Sequence, residues 1–360
     1  MKKILSLILA LMMIFSLAAC GTADSGTDAG DAASTEDAAT EDAAAAEDAT
    51  AEGDADAAEA EETAEAGDVV YNVGICQLVT HAALDAATQG FKDALTDKLG
   101  DSVVFNEQNA AGDNQTCATI CNQLVSEKVD LILANATPAL QAAASATNEI
   151  PIIGTSITDY GTALDIDNWT GTTGTNISGT SDLAPLKEQA QMLNELFPDA
   201  KNVGLIYCSS EANSLYQIGV VKAELESMGY TCTEFTFVDS NDVSSVCQSA
   251  ASNSDVLYAP TDNTVASCAE LINNVCLTAG VPIVAGEEGM CAALGVATLS
   301  ISYYDIGYTA GEMAYDILVN GADISTMEVQ FAPNVVKKYN PTICEQLGIT
   351  VPDDYEAIGE

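Results

Sequence analysis

From Asp68 onward the chain alternates short, solidly apolar runs with longer stretches whose apolar positions recur every three or four residues. Val69 to Cys76 predicts a buried strand, His81 to Leu99 a helix, and Val103 to Asn106 a second strand. A helix over Asn114 to Ser126 leads to a strand over Asp130 to Asn135, a helix over Pro138 to Thr147 and a strand over Pro151 to Thr155. Strands apolar on both faces, separated by amphipathic helices, imply a parallel sheet covered on its two sides. Ile157 to Asp182, rich in Gly, Thr and Asp, has neither period and is expected to be irregular and to carry a crossing to a second half. A second βα series runs from Leu183 to about Ala297. After it, Ile306, Ala310, Met313, Ala314 and Ile317 recur at helical spacing.

The two series are copies of one another. Asn72-Val-Gly opens the first and Asn202-Val-Gly the second. Val129-Asp-Leu-Ile-Leu-Ala-Asn-Ala-Thr137 aligns with Ser254-Asp-Val-Leu-Tyr-Ala-Pro-Thr-Asp262, and Ile150-Pro-Ile-Ile-Gly-Thr-Ser156 with Val281-Pro-Ile-Val-Ala-Gly-Glu287. In an open parallel sheet, ligands collect beyond the carboxyl ends of the strands, where helix N-termini present free N–H groups. Two such halves facing each other would make a clamp for a small molecule.

Charge narrows the ligand. The formal net charge is -44, from 54 acidic residues against 10 lysines and no arginine. A nucleic-acid partner is thereby excluded, because phosphate neutralisation needs clustered cations. Without a guanidinium fork, an anionic ligand group must be held by backbone N–H, hydroxyl or amide donors. Of the 11 cysteines, most lie in apolar strand or helix patterns, where Cys acts as a small buried hydrophobe. Cys117 and Cys121 are one helical turn apart, but the single histidine, His81, sits in another turn, so neither a metal site nor a cofactor is expected.

The N-terminus reads as an export signal over residues 1–19. Met1-Lys-Lys3 precedes an apolar run from Ile4 to Ala19 that is too short for a comfortable membrane span. Leu17-Ala-Ala-Cys20 resembles the lipobox of bacterial lipoproteins, which implies a lipid on Cys20. Ordinary cleavage after Ala19 is the alternative. Residues 20–67 carry Asp and Glu but no basic or aromatic residue, and predict a disordered acidic tether.

With two βα halves, a lipobox and a tether, the chain resembles a substrate-binding lipoprotein of a bacterial ABC importer. Over about Val70 to Val335, five segments are similar to the tryptophan- or tyrosine-binding family: Gln77-Leu-Val-Thr-His81, Ala134-Asn-Ala-Thr-Pro-Ala139, Gly154-Thr-Ser-Ile-Thr-Asp159, Ser209-Ser-Glu-Ala-Asn-Ser214 and Pro260-Thr-Asp-Asn-Thr264. The resemblance implies an α/β type I periplasmic-binding fold, two Rossmann-like lobes with parallel sheets joined by a multi-crossover hinge. Residues 68–177 plus about 303–325 would form the N-terminal lobe, and 178–302 plus about 326–360 the C-terminal lobe. The closing strands Glu328 to Phe331 and Val335 to Tyr339 fall in the latter. The implied ligand is an aromatic amino acid, and the implied partners are a membrane permease and its ATPase. A monomer held to the outer face of the membrane by its lipid is expected.

A zwitterion needs donors at one end and acceptors at the other. For its carboxylate the candidates are Thr137, Thr155 and Ser156 of the first half, with Asn213 and Ser214 of the second. Asp262 and Glu287, at strand ends of the second half, are the candidates for the ammonium. Leu78, Val79 and Tyr304 are candidates for the wall against the side chain. Gln77, His81 and Asn263 join the set through the similar segments. Asp262, Asn213 and Thr80 serve equally as helix N-caps; Glu287 is harder to assign to structure alone, because a Glu closing an apolar strand needs a partner. Trp169 is expected to pack across the hinge, with stacking on a ligand as its alternative, and the cluster Tyr303, Tyr304 and Tyr308 to pack at the core or hinge. A sugar binder on the same fold is the nearest alternative, and a surface adhesin or sensor another. An enzyme using Ser209 or Ser210 with His81 lacks the Gly-x-Ser-x-Gly elbow.

Overall fold

The computed structural model describes residues 69–332 and 334–359. The export segment, Cys20 and the tether lie outside the described residues.

The first series comprises β1 (Tyr71–Gln77), α1 (Ala82–Leu99), β2 (Val103–Asn109), α2 (Asn114–Glu127), β3 (Leu131–Asn135), α3 (Thr137–Ala146), β4 (Ile152–Ile157), α4 (Tyr160–Leu164) and β5 (Ile177–Ser181). The second comprises α5 (Leu186–Leu196), β6 (Asn202–Cys208), α6 (Ala212–Ser227), β7 (Thr231–Phe237), α7 (Val243–Asn253), β8 (Val256–Ala259), α8 (Asn263–Ser267), α9 (Ala269–Ala279), β9 (Ile283–Ala285), α10 (Glu288–Leu294) and β10 (Ala297–Ser300). The chain then forms α11 (Tyr303–Leu318), β11 (Gln330–Phe331), β12 (Val336–Tyr339), α12 (Pro341–Leu347) and β13 (Glu356–Ala357).

Two sheets result, in the orders β11-β5-β4-β3-β1-β2 and β13-β12-β10-β9-β8-β6-β7. The first is parallel throughout, and in the second only β12 runs antiparallel to its neighbour β10. The shared Asn-Val-Gly has the same physical job in each. The N–H of Asn72 donates to the Asp130 carboxylate at 2.7 Å, and that of Asn202 to Asp255 at 2.8 Å, so each central strand is clasped to the start of its neighbour. Two residues on, a Cβ at Gly74 would stand 2.7 Å from Leu124, and one at Gly204 would stand 2.4 Å from Leu257. Only glycine lets those leucines seat on the strand.

Each sheet is covered on both faces. Phe91 and Leu95 of α1 and Ala310 and Met313 of α11 bury one face of the first sheet, and α2 and α3 the other. Helices α1 and α11 lie so close that a Cβ at Gly307 would stand 2.0 Å from the Ala87 carbonyl oxygen. Eight of the described cysteines are buried within these cores, and none is in a disulfide.

Two sequence-based boundaries move. The limit expected at residue 177 falls at the start of β5, which belongs to the first sheet. The strand expected to close the second lobe, β11, instead pairs with β5, Gln330 opposite Thr180 and Phe331 opposite Ser181. Periodicity missed β5 because Ile-Ser-Gly-Thr-Ser has almost no apolar content. Tertiary contacts hold it: a Cβ at Gly179 would meet the Gly154 carbonyl at 2.0 Å, and Tyr160 donates to the Thr180 carbonyl at 3.2 Å. Trp169, expected near the hinge, stacks on Tyr160 at 6.2 Å and packs into the core of the first lobe. Three short segments therefore join the lobes, after Ser181, after Ser300 and after Phe331.

Candidate functional site

The strand ends of both sheets face one small void of about 10 Å³. The first lobe contributes His81 and Leu84 from the start of α1, Ser156 and Thr158 from the end of β4, and Asp182 just past β5. The second contributes Asn213, Thr261, Asp262, Asn263, Ala266, Glu287 and Met290, while Tyr303 enters from the second crossing. The lobes touch around this void. His81 Nε2 lies 3.2 Å from Asn263 Oδ1, and Gln217 Nε2 reaches Thr158 Oγ1 at 3.5 Å. Gly289 lies so near Ala82 that a Cβ there would stand 3.3 Å from the alanine methyl.

Carboxyl groups dominate the wall. Asp262 caps α8, one oxygen accepting from the Val265 N–H at 2.8 Å and the other from the Cys208 N–H and the Ser214 hydroxyl, each at 2.7 Å. Burial pushes its carboxyl up to about 7, the neighbouring Glu211 adding repulsion and these donors opposing it. Glu287 caps α10, accepting from the N–H groups of Gly289 and Met290. It too is pushed to about 7, by burial first. Asp182 accepts from the Tyr303 hydroxyl at 2.7 Å and the Thr158 hydroxyl at 3.1 Å. Burial raises it above the usual carboxylate range. Behind Asp262, Glu211 accepts from Asn263 and Thr264, through both backbone and side chain, and so stitches the end of β6 to the start of α8. His81 is lowered by burial, and its hydrogen bond to Asn263 acts the other way.

Two buried polar atoms on this wall, Ser156 Oγ and Asn213 Oδ1, have no hydrogen-bond partner. Ser156 also holds φ at 57°, in the left-handed region that non-glycine residues seldom occupy. Helices α1 and α3 both begin at the void side of the first sheet without a side-chain cap, at His81 and Ala136. Their first N–H groups therefore have no side chain from their own N-caps to serve.

Of the sequence candidates, His81, Ser156, Asn213, Asp262, Asn263 and Glu287 meet at the void. The others do not. Gln77 stitches β1 to α1, donating to Asp85 at 2.6 Å and accepting from Thr88. Leu78 and Val79 line a separate hollow with Pro138, Ser210 and Val238. Thr137 is buried at the start of α3, and Thr155 accepts from Thr180 at 3.0 Å within the sheet. Ser214 is spent on Asp262. Tyr304 is turned outward, 40% exposed, and donates to Asp93; its neighbour Tyr303, about 100° around the helix, is the one turned inward. Glu287 does have a structural partner, the N-terminus of α10, contrary to its reading from sequence. Thr158, Asp182, Glu211 and Thr261 were missed. Thr158, Glu211 and Thr261 follow strands in the same polar turns that yielded Ser156, Asn213 and Asp262, so position in the repeat was the available signal for them; Asp182 follows β5, which the apolar pattern did not reveal. Among the described residues, no group of three His, Cys, Asp or Glu side chains is placed to hold a metal.

Residues 72–358 match the family model described as ABC transporter substrate binding protein. A tyrosine-binding protein from Clostridioides difficile is 38% identical over 253 residues, 69% of this chain and 72% of that one. The structure of an ABC domain in complex with L-Trp from Streptococcus pneumonia superposes with a TM-score of 0.75 at 32% identity, covering 79% of this chain and 96% of the other. The ligand-free, open structure of a substrate-binding protein with adhesive properties from Clostridium difficile gives 0.61 at 35% identity, covering 80% and 99%. The chain belongs to the ABC transporter substrate-binding protein family, and its fold is that of the type I periplasmic-binding proteins.

Proposed function

We propose that the chain captures an aromatic amino acid, as a zwitterion, between its closed lobes and presents it to a membrane permease with an ATPase. The observation that carries this reading is the chemistry of the wall around the void; at about 10 Å³ the void is too small for an amino acid, so the lobes must part to admit one. Buried carboxyls line it without a lysine among them, and two polar atoms, Ser156 Oγ and Asn213 Oδ1, await partners there. Asp262 and Glu287 suit an ammonium group. The uncapped start of α1, with Ser156, suits a carboxylate without needing arginine. Leu84, Ala266, Met290 and the Tyr303 ring supply the apolar surface for a side chain.

The lobe contacts support a closed arrangement. At nearly equal identity, the chain is more similar to the relative holding L-Trp than to the open, ligand-free one. Catalysis finds no support in the serines after β6. Ser209 and Ser210 donate to the Phe237 and Val238 carbonyls, and His81 is engaged by Asn263. No helix among the described residues is long and apolar enough to cross a membrane. Substrate-binding proteins of ABC importers work outside the cytoplasm, and a lipid on Cys20 would hold this one at the membrane. Cys20→Ser should then release it from the membrane fraction, and a variant that stays bound would refute the anchor.

Thermal shift of the full-length protein against L-tyrosine, L-tryptophan, L-phenylalanine and a panel of sugars tests the ligand class. A ligand at 100 times its Kd adds about 2.7 kcal/mol. Stabilisation by a sugar and by none of the three amino acids would overturn the proposal.

A further inference from the structure

Asn213, on the second-lobe wall of the void, is half committed. Its Nδ2 donates to Glu211 Oε2 and to the Thr261 carbonyl, each at 3.1 Å, while its buried Oδ1 has no partner. Which amide atom is which follows from the Thr261 contact. A backbone carbonyl can only accept, so turning the amide over would set oxygen against oxygen there. The atom left unpaired beside the void is therefore an acceptor, and an acceptor buried without a donor costs stability that a bound molecule can recover.

Among the described residues, the side-chain donors around this oxygen are spent elsewhere. The Asn263 amide nitrogen is bonded to Glu211 at 2.7 Å, the Ser214 hydroxyl to Asp262 at 2.7 Å and the Thr261 hydroxyl to the Gly286 carbonyl at 3.4 Å. Facing them, Thr158 and Tyr303 both donate to Asp182. Ser156 Oγ, the other unpaired atom of the wall, makes no bond to Asn213. The ligand must bring the donor. In a zwitterion the carboxylate only accepts and the ammonium only donates. We infer that Asn213 Oδ1 accepts an N–H of the ligand's ammonium, rather than serving the carboxylate as expected from sequence. Its position agrees: the carbonyl that holds the Asn213 amide belongs to Thr261, the residue before Asp262, so the amide oxygen and the carboxyl reach the ligand from adjoining turns. An ammonium has three N–H groups to place, and an amide oxygen beside a carboxyl takes one more of them. Asn213 thereby makes the amino group a condition of capture. A molecule with the same ring and carboxylate but no ammonium leaves the amide oxygen buried and unpaired.

The inference rests on the proposed ligand class, and its test separates the two. Calorimetry gives the affinities of the full-length protein and of Asn213→Ala for L-tyrosine, L-tryptophan and L-phenylalanine, and for the corresponding arylpropionates, which keep the ring and the carboxylate but lack the ammonium. The substitution is mild for the fold, because the Thr261 carbonyl keeps the Gln217 amide at 3.0 Å and Glu211 Oε2 keeps the backbone and side-chain N–H groups of Asn263. Asn213→Ala should weaken the amino acid by about tenfold or more, the scale of a hydrogen bond to a charged group, and leave the arylpropionate nearly unchanged. An equal loss for both would put a carboxylate, a ring substituent or a purely structural role at Asn213, and would overturn the inference while leaving the ligand class standing. Where the arylpropionate binds too weakly to measure, a crystal structure of the complex with whichever amino acid binds decides. The ligand nitrogen is expected at about 2.7–3.2 Å from Asn213 Oδ1, and any other ligand atom in that place would overturn the inference. Failure of every aromatic amino acid to bind the parent would remove the ligand class as well.

Discussion

His81 Nε2 and Asn263 Oδ1 meet at 3.2 Å and so join the start of α1 in one lobe to the start of α8 in the other. The contact is directional because the Asn263 amide nitrogen is already committed to Glu211 at 2.7 Å, which turns Oδ1 toward the histidine. Asn263→Ala should remove its bond to Glu211 within one lobe and, with it, the hydrogen bond to His81 that exists only when the lobes are together. A net value of about 1 kcal/mol corresponds to roughly a fivefold loss of affinity. Stopped-flow measurement should place that loss in ligand release, with the association rate little changed; an equal change in both rates would count against a closure latch.

Gly289 is the close-approach point between the lobes. A methyl there would already press on Ala82 at 3.3 Å, and a valine side chain would fill the remaining gap. Gly289→Val should hold the lobes apart. Scattering should then show no compaction on adding ligand, together with an affinity loss of at least about tenfold. Normal compaction in this variant would mean that α1 and α10 are not the surfaces that meet.

Two buried carboxyls set how stability depends on pH. Asp262 and Glu287 rise from ordinary values of 3.8 and 4.5 to about 7, so the folded chain holds protons that the unfolded chain has released. Their contribution is fully present below pH about 4 and is lost as pH rises to about 7. Every tenfold gain in proton affinity on folding is worth about 1.4 kcal/mol per group. Glu287→Gln carries no such proton. Its Tm, compared with that of the ligand-free parent, should therefore gain by several degrees between pH 5 and pH 7.5, and a constant Tm difference would contradict the raised value. The same substitution should weaken amino-acid binding by about tenfold or more, measured by calorimetry, because an ammonium loses a charged partner.

The sequence made the fold legible wherever apolar runs were solid. β1, β3, β4, β6 and β8 were placed by their hydrophobic residues and by the repeated Asn-Val-Gly. It failed at β5, whose small polar residues are ordered by Gly179 and Tyr160 rather than by apolar content. Failure there also moved the first crossing and hid Asp182. At the site, the repeat located the correct turns but not which side chain in each turn faces inward. Ser156 and Thr155 are adjacent, yet one reaches the void and the other bonds across the sheet. Tyr303 and Tyr304 divide in the same way on a helix. Periodicity assigns faces within a regular element, whereas a turn breaks the period just where the ligand groups lie.

β11 carries a consequence for biogenesis. The outermost strand of the first sheet comes from Gln330 and Phe331, synthesised after the whole of the second βα series. A nascent or clipped polypeptide ending before Gln330 leaves the β5 edge bare, with unsatisfied ladder groups open to pairing with another molecule. No contiguous fragment contains the first lobe in full without most of the second. Synthesis must therefore deliver almost the entire polypeptide before the first lobe can finish its sheet.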